Sequence, residues 1–153
     1  MVPEREEFMD VSKENKEIVL NAIHDWLSSL PLGVVDVKEE HGEYESVVKI
    51  KPFKSKASPL EFRIGNYGTF DVAMGMGMQF NEIPISVDKV IDICKSVASG
   101  RIKEQVWISK NKCVRSNGEL ELSSGRWSDR GSNSWRGILG IGKKQFIEYE
   151  PYI

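Results

Sequence analysis

Thr69-Phe70-Asp71-Val72-Ala73-Met74-Gly75-Met76-Gly77-Met78-Gln79-Phe80 alternates without a break. Phe70, Val72, Met74, Met76, Met78 and Phe80 fall on one side, and Thr69, Asp71, Ala73, Gly75, Gly77 and Gln79 on the other. Strict period two predicts a β-strand with one buried face. The other face carries almost no bulk, so a helix, a second sheet layer or a ligand can approach that backbone closely. The strand is long, and Gly75 and Gly77 are where it is expected to bend or bulge. The Met stripe reads as core, because Met fills irregular gaps and no His or Cys interrupts it to suggest a soft metal site.

Upstream, Leu60, Phe62 and Ile64 alternate with Glu61 and Arg63, so a second strand runs into the first. A three-residue loop, Asn66-Tyr67-Gly68 with Gly68 left-handed, sets Ile64 opposite Phe70, Phe62 opposite Val72 and Arg63 opposite Asp71. A two-residue loop would mix the faces. The register also predicts an Arg63–Asp71 cross-strand ion pair. Further back, Val34–Lys38 and Tyr44–Lys51 read as strands around a charged turn, Glu39 to Gly42. Lys49, Lys51, Lys54 and Lys56 follow with no acid between them. They read as a solvated edge that resists aggregation, or alternatively as a track for phosphates.

Two helices flank this region. From Ser12 to Leu30, Val19, Ile23, Trp26, Leu27 and Leu30 share a face, with Asp10 or Ser12 as cap and Pro31 as stop. Residues 1–11 are charged and expected to fray. His24 beside Asp25 reads as a surface histidine, since adjacent helical residues do not face each other. After Pro84, Val87, Val90, Ile91, Cys94, Val97 and Ala98 recur at three and four. Ser86 caps this helix, Asp88 complements its dipole, Ile85 and Val90 staple it, and Gly100 stops it.

Downstream, Ile102–Ser109, Lys112–Ser116 and Glu119–Leu122 read as a meander. A Ser116-Asn117-Gly118 turn would place Val114 opposite Leu120 and Arg115 opposite Glu119, whereas the turn near Lys110-Asn111 is ambiguous by one residue. Glu119 and Glu121 share a face as alternating solvent carboxylates rather than a catalytic pair. Residues 123–137 break the pattern and read as a long loop, of the kind that is either functional or disordered. It holds Arg126, Trp127, Arg130, Trp135 and Arg136, residue types enriched at binding hot spots and suited to stacking on bases. Gly137 to Lys144 has phosphate-loop spacing, but Lys144 stands where Ser or Thr must hold magnesium, and no helix can follow. The final residues, Gln145–Ile153, read as a last strand, at a sheet edge.

The chain has 21 basic and 23 acidic side chains, a net charge of −2, so nothing in the total charge draws it to nucleic acid or anionic membrane. No apolar run is long enough to span a bilayer, and the N-terminus lacks a signal core. Cys94 and Cys113 do not make a disulfide framework, and both are expected reduced and buried in a cytoplasmic protein. Two isolated histidines and two distant cysteines give no metal-ligand cluster. No nucleophile has a recognisable setting, so no catalytic residue, metal or cofactor is assigned.

The order of helix, four strands, helix, four strands predicts a single α+β domain over 1–153. A curved antiparallel sheet of about six to eight strands would carry two packed helices. The leading functional expectation is a non-enzymatic protein-binding module, such as a small inhibitor, immunity-type or adaptor protein, using the Arg126–Arg136 loop. A second is a small-ligand protein or enzyme with a cleft walled by Asp71, Ala73, Gly75 and Gly77. The third is nucleic-acid binding through Lys49–Lys56 and the Arg/Trp loop. The expected partner is thus another protein first and a small molecule second; nucleic acid ranks last, and a membrane is not expected.

Overall fold

In the computed structural model the chain runs α1 (Pro3–Ser28), β1 (Val35–His41), β2 (Glu45–Pro52), β3 (Leu60–Gly65), β4 (Thr69–Met74) and β5 (Met78–Pro84). It continues α2 (Val87–Ala98), β6 (Ile102–Ser109), β7 (Lys112–Leu122), β8 (Gly125–Ser132), the one-turn α3 (Trp135–Ile138) and β9 (Lys143–Glu148). The structure describes residues 3–66, 68–132 and 135–153, and side chains from 14 onward except those of 67 and 133–136. The fold is α+β and antiparallel throughout its named strands. These divide between two sheets, ordered β1-β2-β3-β4-β5 and β8-β7-β6-β9.

Thr69–Phe80 is a hairpin rather than one long strand. Gly75, Met76 and Gly77 turn the chain, with Gly75 at φ +62°, so that Met74 faces Met78 and Val72 faces Phe80. A three-residue turn keeps even positions opposite even positions, which is why the alternation passes through it intact. Phe70, Met74 and Met78 are buried as expected, and Met76, at the tip, is half exposed. The preceding hairpin has the derived register: Ile64 faces Phe70, Phe62 faces Val72, Arg63 faces Asp71, and Gly68 is left-handed at φ +78°. Tyr67, also in this turn, lies outside the described residues. Arg63 and Asp71 do not pair. Arg63 bonds Glu61 at 3.1 Å and reaches Glu45 at 3.4 Å, while Asp71 accepts the Glu82 N–H at 2.8 Å and fixes a bulge where Glu82 is left-handed.

The two long helices pack on each other, α1 against β3 of the first sheet and α2 against β7 of the second. α1 buries Val19, Ala22, Ile23 and Trp26, and α2 buries Val90, Ile93, Cys94 and Val97, in one continuous core with Val48, Phe62, Phe70 and Val72 of the first sheet and Leu120 and Leu122 of the second. α1 begins at Pro3, well before Ser12, and the backbone from Pro3 to Val11 is helical. α2 has its expected ends: Ser86 accepts the Lys89 N–H, and Gly100 at φ +74° closes a Schellman motif through Gly100 N–H to Val97 and Arg101 N–H to Ser96.

The second sheet departs most from the sequence reading. Ser116-Asn117-Gly118 is not a turn. β7 runs straight through it, with Ile102 opposite Leu120 and Glu104 opposite Gly118. Gly118 is there because Met78 occupies the space its Cβ would need. The real turn is Lys110-Asn111, both left-handed at φ +52° and +64°, a two-residue hairpin loop. The segment read as a long loop over 123–137 instead holds a strand: Gly125–Ser132 is β8, paired along β7 from Leu122–Gly125 to Arg115–Ser132. β9 is an edge strand beside β6, as expected of the last segment. Among the described residues no helix is long and apolar enough to cross a membrane.

Candidate functional site

The two sheets meet at the turn Gly75-Met76-Gly77 and along β5, which lies beside β7 and β8. Alternation along β6 places Glu104 inward between Ile102 and Val106, and it is fully buried. Its Oε1 accepts the Met76 N–H at 2.9 Å and the Tyr149 hydroxyl at 2.5 Å. Its Oε2 accepts the Gly77 N–H at 2.9 Å and the Ser116 hydroxyl at 2.5 Å. Among the described residues no cation stands within ion-pair distance, so four donors hold this carboxylate in the core. A Cβ on Gly75 would lie 2.6 Å from Glu104 Oε1, and one on Gly77 3.0 Å from the Ser116 Cβ. The bare glycines expected to admit something closely therefore admit a carboxylate from the other sheet. Burial pushes the Tyr149 hydroxyl up, and its bond to Glu104 pushes it further. The Cys113 thiol is raised by burial first and then by the charge on Glu104. Glu104 is fully buried, and its four hydrogen bonds anchor β6 of one sheet to the β4–β5 turn of the other.

On the other side of the same turn lies a hollow of about 770 Å³ on the outer face of the first sheet. Ala73, Gly75 and Gly77 wall it, as the cleft reading expects, and Asp71 does not. The register explains its floor: Lys38 faces Lys49, Lys49 faces Glu61, and Glu61 faces Ala73, while Asp36 faces Lys51. Lys54 enters from the loop after β2. Three of the four lysines singled out in sequence thus meet the glycine wall, joined by Lys38. Lys56 does not line the hollow. Lys49 and Lys51 do not protect an edge, since β2 is paired on both sides, and Lys54 and Lys56 lie in the loop that follows it.

The outer face of the second sheet forms a third surface. Register aligns Lys144, Trp107, Arg115 and Ser132 in one row and Phe146, Gln105, Asn117 and Arg130 in the next. The Arg115 guanidinium lies 4.6 Å from the Trp107 ring centre and Lys144 Nζ 5.7 Å away. From α3 to β9 the chain crosses the end of this sheet, with Gly137 against Val114 and Gly140 near Arg115. That strap exposes Ile138, Leu139 and Ile141, and Phe146 beyond it is 63% exposed.

The three hot-spot candidates whose side chains are described, Arg126, Trp127 and Arg130, do not gather. Trp127 turns inward, its ring 5.4 Å from that of Phe80 with Lys89 Nζ 5.2 Å from its centre. Arg126 lies on the outer face, 3.8 Å from Glu119. Arg130 joins the Phe146 row. The side chains of Trp135 and Arg136 lie outside the described residues. His24 pairs across to Glu39 at 2.5 Å, not with Asp25, as a partly exposed surface contact. Glu104 was legible as a charge at an inward strand position; nothing in sequence marked its partner Tyr149. Neither Lys38 nor the strap carried a signal, because register and exposure alone make them part of a surface. Comparison with family models, curated proteins and solved structures returns no match.

Proposed function

We propose that the protein works by binding another protein, and that the contact surface is the strap with the adjoining outer face of the second sheet. One observation carries this reading: Ile138, Leu139, Ile141 and Phe146 are all 45–72% exposed within a stretch of nine residues. Exposed apolar side chains gathered in this way mark interaction sites. Cations from Arg115, Arg130, Lys143 and Lys144 adjoin them, and the two rows nearest the strap hold no acid. A partner with an apolar centre and an acidic rim fits that pattern. This relocates the contact from the Arg126–Arg136 segment, whose Trp127 is spent on packing against Phe80. The thiols of Cys94 and Cys113 suit a reducing compartment, and we infer a cytoplasmic setting.

The test is quantitative affinity capture from cells producing the tagged chain, compared with Leu139→Asp and Phe146→Asp variants of unchanged circular dichroism. A genuine hot spot costs about 2 kcal/mol or more, so the captured partner should fall about thirtyfold. Equal recovery of the same proteins by both variants would remove this surface from consideration.

A further inference from the structure

We propose that the hollow on the first sheet binds a nucleoside diphosphate or a closely similar phosphorylated organic molecule, with its phosphates on Lys38, Lys51 and Lys54. The floor is electrostatically uncomfortable as it stands. Lys38 and Lys49 are direct cross-strand partners on one face, an arrangement that opposes folding. Lys49 has only a 3.9 Å approach to Glu61, which Arg63 already engages at 3.1 Å. Among the described residues Lys38, Lys51 and Lys54 have no ion-pair partner, although Asp36 faces Lys51 in register. Local conflicts of this kind are kept where function requires them. An anion seated between these ammonium groups relieves the repulsion.

Shape selects among anions. The hollow is closed at one end by the Gly75–Gly77 turn and bounded by the Pro52–Pro59 loop, so it suits a compact molecule better than a strand that must pass through. Its walls are also apolar: Ala73, Met76, Pro52 and Pro59 give a body of ring size something to pack against, and the volume is in the range of small-molecule sites. The turn's own N–H groups are already engaged, Gly75 by Ser58 and Met76 and Gly77 by Glu104, so the positive charge must come from the lysines. A depression of similar volume beside α2 balances Asp88 and Asp92 against Lys95 and Arg101, whereas the hollow sets four lysines against Asp36 and Glu61.

The experiment is titration calorimetry of the whole chain at low salt with ADP, adenosine, tripolyphosphate and a single-stranded oligonucleotide. ADP should bind, adenosine should not, and tripolyphosphate should bind more weakly than ADP. Lys51→Glu/Lys54→Glu should weaken ADP at least about tenfold. Lys38→Ala should weaken it several-fold while leaving the thermal midpoint of the ligand-free protein unchanged or higher, since it removes a repulsion. That last pairing distinguishes a site from a merely structural lysine, and it decides the matter if the double variant does not fold. No heat with ADP, adenosine equal to ADP, tripolyphosphate equal to or tighter than ADP, or undiminished binding by both variants each overturns the proposal. Tighter binding of the oligonucleotide with a steep salt dependence overturns it in favour of a nucleic-acid surface.

Discussion

Replacing Glu104 with Gln keeps shape and volume and changes only hydrogen-bond capacity. The carboxylate accepts from two backbone amides, Met76 through Oε1 and Gly77 through Oε2, and from two hydroxyls. The hydroxyls of Ser116 and Tyr149 can rotate to accept from an amide NH₂, but the backbone N–H groups cannot turn away. Whichever way the Gln side chain is flipped, one backbone donor then faces another donor. An unsatisfied buried donor costs about 1–3 kcal/mol, and each bond to a charged acceptor is worth about 1.5–3 kcal/mol. Glu104→Gln should therefore cost about 2–3 kcal/mol. Glu104→Ala strands both amides and leaves a void, and should cost about 4–6 kcal/mol, close to the whole stability of many domains. In urea, with a slope of about 2 kcal/mol per M, the midpoint for Gln should fall by about 1 M. Hydrogen exchange adds a local readout: the Met76 and Gly77 amides should be protected in the parent and should exchange faster in the Gln variant. A Gln variant within about 0.5 kcal/mol of the parent, or parent amides exchanging at the rate of an open turn, would refute the anchor.

The two left-handed glycines of the first sheet give an internal control. Gly68→Ala meets nothing within 4 Å and should cost only its backbone strain, about 1 kcal/mol, whereas Gly75→Ala adds a 2.6 Å approach to Glu104 and should cost clearly more on the same denaturation curve. Asp92 ties α2 to the β7–β8 turn by accepting the Ser123 N–H at 2.9 Å and the Ser124 hydroxyl at 3.1 Å. Burial, its largest single influence, pushes the carboxyl up, but the bonds from Ser123 and Ser124 together hold it below the usual Asp value. Its contribution is thus present above the unfolded value of about 4 and lost as pH falls through the lower folded one, so the stability gap between parent and Asp92→Asn should shrink below about pH 4. Burial also pushes both thiols up, Cys94 far more than the half-buried Cys113. In a thiol-labelling time course Cys113 should react first and Cys94 only on the timescale of global unfolding; prompt labelling of Cys94 would contradict its place in the core.

Alternation is blind to one kind of event, and the organising stretch contains it. A three-residue turn consumes an odd number of residues and returns the chain with the same parity, so Phe70–Met74 and Met78–Phe80 read identically as one strand or two. The hint was length, since twelve residues exceed the common span of a strand, together with glycines on either side of Met76. Asn66–Gly68 was decipherable because apolar residues on both sides fixed the register independently. At Asn117-Gly118 the same dipeptide logic misled, because the glycine answers to Met78 across the interface and not to a turn. β8 was illegible for a different reason. Its inner face offers only Trp127, Asp129 and Gly131, which meet Phe80, the Gln79 N–H and Ser116. Pairing with β7, rather than propensity, makes it a strand.

The proposed binding surfaces were less legible than the fold, because they are built from register between strands distant in sequence. Lys38 and Lys49 become neighbours only once β1 pairs with β2, and Phe146 joins Arg130 only through β6 and β7. The Gly75–Gly77 turn links interior to surface in the same way: one side of it is held by Glu104, and the other side walls the lysine hollow. A residue with no access to solvent thus holds one side of a wall that solvent meets on the other. The Met76 and Gly77 peptide units join the two, donating to Glu104 while their residues line the hollow. The position of the turn is fixed sterically, because neither glycine can carry a side chain without displacing the carboxylate or Ser116 behind it.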